Sequence, residues 1–286
     1  MDFERIVRDV EALGLNLYDF AMYTPQGVYM HRFQRCSNCL ASYSVAKLFV
    51  VTALGMLYDE GKIRREDPVG RYIEIPAGAS ARWQRVTVGH AVTHRIGFDE
   101  GFLDIDTEDA AEYPDADYLV MVFNHPLAHE PGEHEQYTDA AYYLLSRLVS
   151  AVAGETLDAF LRRRLLQPLS FREAAWSCCP LGHPIGATGL YIGAQDMVKL
   201  AALYLEGGAW KGKRILSGEW VRMAMEREYE LHPYGGGDML GKCGMYGQAA
   251  VFSEKLRCAF AWHAHEKRES MKRLEAYFAA LCEDMK

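Results

Sequence analysis

The stretch ASYSVAKLFVV, residues 41–51, decides how this chain is read. Ser44 and Lys47 stand three residues apart, on one face of any helix that carries them. The run Leu48–Leu57 behind them is apolar, so the helix is expected to be buried. A lysine there costs desolvation energy unless a partner offsets it. A capping serine followed by a snorkelling lysine would account for the pattern. So would a nucleophile and the amine that activates it. At a helix start, the alkoxide of Ser44 would also be favoured by free N–H groups and the helix dipole. This is the chain's one Ser-x-x-Lys.

Two later patterns bear on the choice. Tyr137-Thr138-Asp139 follows the turn Pro131-Gly132 and enters the amphipathic run TDAAYYLLSRLVSAVAG. A tyrosine at a helix entrance can project into a cleft, and lysines beside it favour its phenolate, which can serve as a base. Asp139 also reads as a helix cap, and Tyr113-Pro114-Asp115 repeats the same spacing elsewhere. Lys242-Cys243-Gly244 is the only Lys-x-Gly and precedes a pair of strand-like runs. A lysine on a strand edge supplies positive charge, and the glycine lets a substrate approach the backbone. A loop lysine before a turn would look the same.

The chain's 286 residues, half of them hydrophobic, suffice for a large core and one or two domains. A net charge of −8 argues against a nucleic-acid partner. The opening MDFERIVRDVEALG lacks an apolar signal region, and Leu48–Leu57 is too short to span a bilayer. A soluble cytoplasmic protein without a membrane partner is therefore expected. Seven cysteines, an odd number that includes adjacent Cys178 and Cys179, do not suggest a secreted disulfide framework.

Strand-like runs, NLYDFAMYT and GVYMHRF early and GQAAVFSEKLRCAFAWH late, occur only toward the two ends. Helical periodicity fills the middle and returns at the C-terminus, from about Lys267 to Asp284. A helix is predicted from Ser44 to about Glu60, stopped by Gly61. The expected fold is α/β in the α+β sense. One antiparallel sheet built from residues 1–68 and 187–286 is flanked by helices, and residues 69–186 form an inserted, mostly helical domain.

The three patterns, in this order and context, resemble the penicillin-recognising serine enzymes. Across nearly its whole length the chain is similar to the class C β-lactamase-related serine hydrolases. These include D-alanyl-D-alanine carboxypeptidases, D-aminopeptidases, family VIII esterases and nylon-oligomer hydrolases. LYDEGKIRREDPVGRYI, VTVGHAVTHRIGF (Ile96 where serine is usual), PGEHEQYTDAAYYLL and TGLYIGAQDMVKL carry the likeness further. The resemblance implies a β-lactamase/transpeptidase-like fold and an acyl-enzyme on Ser44, with Lys47 and Tyr137 sharing the proton transfers. It also implies that Lys242 stabilises the tyrosinate or a substrate carboxylate, and that the N–H groups of Ser44 and Met245 form the oxyanion hole. Asp139, Lys242, Gly244 and Met245 would bind substrate; His90 and His94 would serve packing and helix ends. The expected partner is a small ester, amide or peptide, with no cofactor and no metal.

Two departures weaken the β-lactam reading. Asp139 stands where asparagine is usual, and a carboxylate only accepts where an amide can also donate. Cys243 replaces a threonine or serine with a weaker donor. GGDMLGKC, residues 236–243, nearly matches a phosphate-binding loop but opens a strand where a helix is required. Cys36-x-x-Cys39 with His263 and His265 could make a zinc site; reduced thiols and ordinary strand histidines are the simpler account. The rival to catalysis is a non-catalytic binding or sensor protein for peptide or peptidoglycan fragments.

Overall fold

The structure, a computed structural model, describes residues 1–284. Its helices are α1 (Phe3–Ala12), α2 (Ala46–Asp59), α3 (Val88–Val92), α4 (Tyr118–Asn124), α5 (Asp139–Ala153), α6 (Leu157–Leu161), α7 (Ala194–Leu205), α8 (Gly218–Glu226) and α9 (Arg268–Glu283). The strands are β1 (Leu17–Thr24), β2 (Gly27–Arg32), β3 (Leu40–Ala41), β4 (Ala174–Trp176), β5 (Leu190–Ile192), β6 (Ala209–Trp210), β7 (Lys213–Arg214), β8 (His232–Tyr234), β9 (Met239–Cys243), β10 (Ala249–Ser253) and β11 (Cys258–Ala264). The chain divides into two compact units. Among the described residues, one comprises 1–48, 168–175 and 191–284; the other comprises 49–167 and 176–190. Helix α2, which the sequence reading assigned to the sheet domain, starts in the first unit and continues through the second. Among the described residues no helix is long and apolar enough to cross a membrane.

The first unit is built on an antiparallel sheet ordered β2-β1-β11-β10-β9-β8. All seven residues of β11 are buried, as a central strand covered on both faces requires. The two faces differ in side-chain size. Phe20 lies opposite Trp262, and Met22 opposite Phe260. These side chains join α1 and α9 in one apolar cluster through Val10, Leu274 and Phe278. Ala21, Ala250 and Ala261 are register partners on the opposite face, where small side chains let α7 close onto β1, β10 and β11. Lys242 is paired with Ala250 and therefore belongs to this alanine face. The N-terminus of α7 is held by Asp19, whose Oδ2 accepts from Ala194 N at 3.2 Å. The other oxygen of Asp19 faces His263 Nδ1 at 2.8 Å.

In the second unit α5 is the core helix and packs against α3, α4 and α6. Thr138 caps it, and Gly154 ends it in the left-handed conformation. Tyr142 Oη donates to Val92 O at 3.0 Å, and Ser146 Oγ to Pro184 O at 2.7 Å, so α5 satisfies its neighbours' loops.

The structure corrects two sequence expectations, at the middle strands and at Ser44, and settles one helix cap. Strands are not confined to the chain ends: short pieces at 174–176 and 190–192 interrupt the helical middle. Each is too short for a period-2 pattern to be visible. Helix α4 is capped by Asp117, whereas Asp115 folds back onto the Asp117 N–H. Ser44 does not open an α-helix; it sits inside a 3₁₀ turn, Tyr43–Val45, that leads into α2.

The aromatic layer should carry much of the first unit's stability. Phe260 is fully buried, and its ring centre lies 4.8 Å from that of Phe278. Phe260→Ala should cost about 3–5 kcal/mol of unfolding free energy, read as a lower urea midpoint with an unchanged slope.

Candidate active site

Ser44 is partly exposed on its 3₁₀ turn, while Lys47, one turn on, is fully buried. Lys47 Nζ donates to Ser44 Oγ at 3.1 Å. Burying an ammonium is unfavourable unless its hydrogen bonds are retained. The neighbouring Tyr43 is left-handed (φ 49°), a conformation that costs free energy for a residue with a β-carbon. The turn therefore stores strain where Ser44 is presented.

Strand β9 runs beside this turn. Gly244 sits so close that a β-carbon there would lie 2.9 Å from Ser42 O and 3.1 Å from Tyr43 Cβ. Only glycine permits that approach. Past it the chain reverses: Gly244 N donates to Gln248 O, and Gln248 Oε1 accepts from Tyr246 N. The Tyr246 ring stands edge-on to Tyr43 and stacks on His265. Met245 is left 41% exposed beside the turn's strand neighbour. The Cys243 thiol is crowded by protein although it reaches solvent, and desolvation pushes it up to about 11. It stays protonated near neutral pH and is a weak donor. Lys242 is nearly buried, and its ammonium forms an ion pair with the buried carboxylate of Glu230.

In the second unit Tyr137 is 46% exposed at the entrance to α5. Its ring lies against His94 at 4.5 Å between centres. His94 Nδ1 accepts from Thr138 N, and His94 O accepts from Gln136 N. His94 is itself left-handed (φ 56°). It thus seats Tyr137, a role beyond the helix-end one expected from sequence. His90 closes a capping box with Thr87. Asp139 is not the cap; Thr138 takes that role, and Asp139 begins the helix, almost buried. Phe102 N and O both bond Thr138 Oγ1, and the Gly101 backbone runs against Tyr137 O, where a β-carbon would come within 2.9 Å. This loop brings Asp104 and Asp106 to Asp139, with carboxylate oxygens within 4.8 Å of one another. Sequence reasoning missed both aspartates, as it missed Glu230. Nothing in FLDIDTED or REYEL signals a distant partner.

Among the described residues that trio is the one group of His, Cys, Asp or Glu side chains spaced to hold a cation. Cys36, Cys39, His263 and His265 form no such group. The ring of His263 is turned to Asp19, and the Cys39 thiol faces Glu173. Gly236–Cys243 makes a turn and a strand, without the helix that a phosphate loop needs.

The sequence profile of the β-lactamase family matches residues 39–281. The chain belongs to the β-lactamase family. It is 27% identical over 209 residues to penicillin-binding protein 4 of Amycolatopsis lactamdurans, covering 62% of this chain and 53% of that one. To the 6-aminohexanoate-dimer hydrolase of Paenarthrobacter ureafaciens it is 26% identical over 196 residues, covering 64% and 49%. The chain thus spans about half the length of these curated relatives. Its fold matches the octameric penicillin-binding protein homologue of Pyrococcus abyssi with a TM-score of 0.77 at 18% identity, covering 99% of this chain and 78% of that one.

The contact at Gly244 yields a direct expectation. Gly244→Ala must push β9 off the Ser42–Tyr43 backbone or distort the turn. The rate of Ser44 labelling by a fluorophosphonate should fall about tenfold, with a small drop in melting temperature. Unchanged labelling would mean that β9 does not set the geometry of Ser44.

Proposed function

We propose that this β-lactamase-family chain is a serine hydrolase that cleaves a small ester or amide through an acyl-enzyme on Ser44. The observation that carries the reading is the 3.1 Å bond from the buried Lys47 ammonium to Ser44 Oγ. A capping serine with a snorkelling lysine would keep the ammonium in water; here the ammonium is spent on the hydroxyl. Family membership supports roles for Tyr137 and Lys242 as well.

Ser44 Oγ attacks the carbonyl carbon while its proton passes to the Tyr137 phenolate, and Lys47 steadies the developing alkoxide. The N–H groups of Ser44 and Met245 hold the oxyanion. The tetrahedral intermediate expels alcohol or amine, which takes the proton from Tyr137. Water then attacks the acyl-enzyme, giving its proton to the Tyr137 phenolate. Ser44 recovers that proton on leaving, and the acid is released.

Asp139 bears on the substrate. With Asp104 and Asp106 near it, its surroundings favour a positive group over an acylamide carbonyl. A carboxylate facing such a carbonyl leaves an acceptor without a donor, at a cost of about 1–3 kcal/mol. Plain esters, and amides bearing a free amine, avoid that cost. β-Lactams with acylamide side chains do not, and the Cys243 thiol is a poor donor for their carboxylate.

A fluorophosphonate or a penicillin should add covalently to Ser44, located by peptide mass mapping, and Ser44→Ala should abolish both adduct and turnover. Labelling or turnover that survives in Ser44→Ala would overturn the reading; a protein that binds peptides without acylation would favour the sensor alternative. Asp139→Asn should speed acylation by benzylpenicillin about tenfold while lowering relative turnover of D-amino-acid amides. Efficient nitrocefin turnover by the natural sequence, unimproved by Asp139→Asn, would contradict the substrate preference.

A further inference from the structure

Lys242 stands where the family resemblance implies a positive charge for a tyrosinate or a substrate carboxylate, yet the charge there is shared. The Lys242 ammonium lies on the carboxylate of Glu230, which is 1% exposed. Glu230 holds a left-handed backbone (φ 56°), strained for a residue with a β-carbon. Strain at a buried charged residue is tolerated where the surrounding structure fixes it, and such residues cluster at functional sites. His232 adds a third member. Its Nε2 is 3.5 Å from Glu230 Oε2, and its Nδ1 is 3.5 Å from Glu228 Oε2. The charged groups facing His232 are Glu228 and Glu230, from the segment before β8, and Lys242 on β9.

We infer that Glu230 is a specificity-determining residue: by neutralising Lys242 it turns the site away from substrates whose leaving group carries a carboxylate and toward neutral ones. This deepens the proposed hydrolase reading and rests on it. An isolated ammonium would attract a substrate carboxylate; a Lys–Glu pair of zero net charge offers it little Coulombic gain and a nearby like charge. Glu230 does not touch the reacting atoms and acts through Lys242.

The arrangement has a pH signature. When His232 is neutral, the Glu230–Lys242 pair has no net charge. With Glu228 counted, protonating His232 raises the net charge of the four groups from −1 to zero, which still favours a substrate carboxylate. The Glu230 hydrogen bond favours the protonated ring and raises its pKa from the ordinary histidine value. Discrimination against carboxylates should therefore relax as pH falls through that point.

The test compares phenyl acetate with 3-acetoxybenzoate, which differ by one carboxylate on the leaving group. The quantity read is the ratio of their kcat/KM values, which cancels effects common to both esters. Glu230→Gln should raise the ratio for 3-acetoxybenzoate over phenyl acetate about tenfold. Glu230→Asp, which keeps the charge, should stay near the natural value. In the natural protein the ratio should rise on acidification from pH 8 to pH 5.5, and His232→Gln should flatten that rise. Because the pH series uses the unaltered chain, the inference stays testable if Glu230→Gln does not fold. A ratio independent of pH in the natural protein would overturn it, as would an unchanged ratio in folded Glu230→Gln. Loss of Ser44 dependence for both esters would instead overturn the hydrolase reading itself.

Discussion

The backbone contact at Gly244 is the constraint on which the rest of the first unit depends. A strand must come within touching distance of the strained turn that presents Ser44, with no β-carbon between them. The sheet's construction serves that approach. Phe20, Phe260 and Trp262 lie on the face toward α1 and α9 and join β1 and β11 to those helices in one apolar cluster. On the other face Ala21, Ala250 and Ala261 stand side by side where α7 closes onto the sheet. Strand β9 is hydrogen-bonded to this layer through β10, and the register that buries Phe260 and Trp262 fixes where Lys242 and Gly244 emerge. A one-residue slip would send Lys242 to the aromatic face.

Buried ion pairs in this unit fall into two kinds. Asp196 pairs with Lys199 and also accepts from the backbone N–H groups of Arg172 and Glu173; Asp19 accepts from Ala194 N and His263 N. These carboxylates tie separate chain segments together by satisfying main-chain donors, which is structural work. Glu230 pairs with the Lys242 ammonium and faces His232, from a backbone conformation that costs free energy. Replacing a buried ion pair by apolar side chains is often neutral or stabilising. An ion pair placed on a strained residue is therefore poorly explained by stability and better explained by the chemistry of Lys242.

The fold class was legible because its signals are local. Ser-x-x-Lys uses one helical turn, α5 carries its own cap and terminating glycine, and the paired strands β10 and β11 read directly as apolar runs. What escaped were relations between distant segments. Asp104 and Asp106 reach Asp139 only because Thr138 pins the Phe102 backbone. Glu230 meets Lys242 only because β8 pairs with β9. The seat of Tyr137 on His94 depends on a left-handed residue after α3, and no periodicity encodes that. The 3₁₀ turn at Ser44 was missed for another reason: serine is a good helix cap, and the propensity argument pointed there before packing against Gly244 could be weighed.

The two departures from the family pattern gain sense when each is set beside its neighbours. An aspartate in place of asparagine at position 139 would be a mild change in neutral surroundings, but here two further carboxylates stand beside it. A cysteine in place of threonine at position 243 would weaken one hydrogen bond, but here the adjacent lysine is already committed to Glu230. Under the proposed function, the surroundings of each substitution disfavour a substrate that brings an anionic group or an acylamide carbonyl. Each of these features alone could be accidental drift within a family fold. Their agreement, reached through unrelated segments, is what the proposed preference for neutral or amine-bearing substrates would require, since specificity needs features that disfavour the wrong substrate as well as ones that favour the right one.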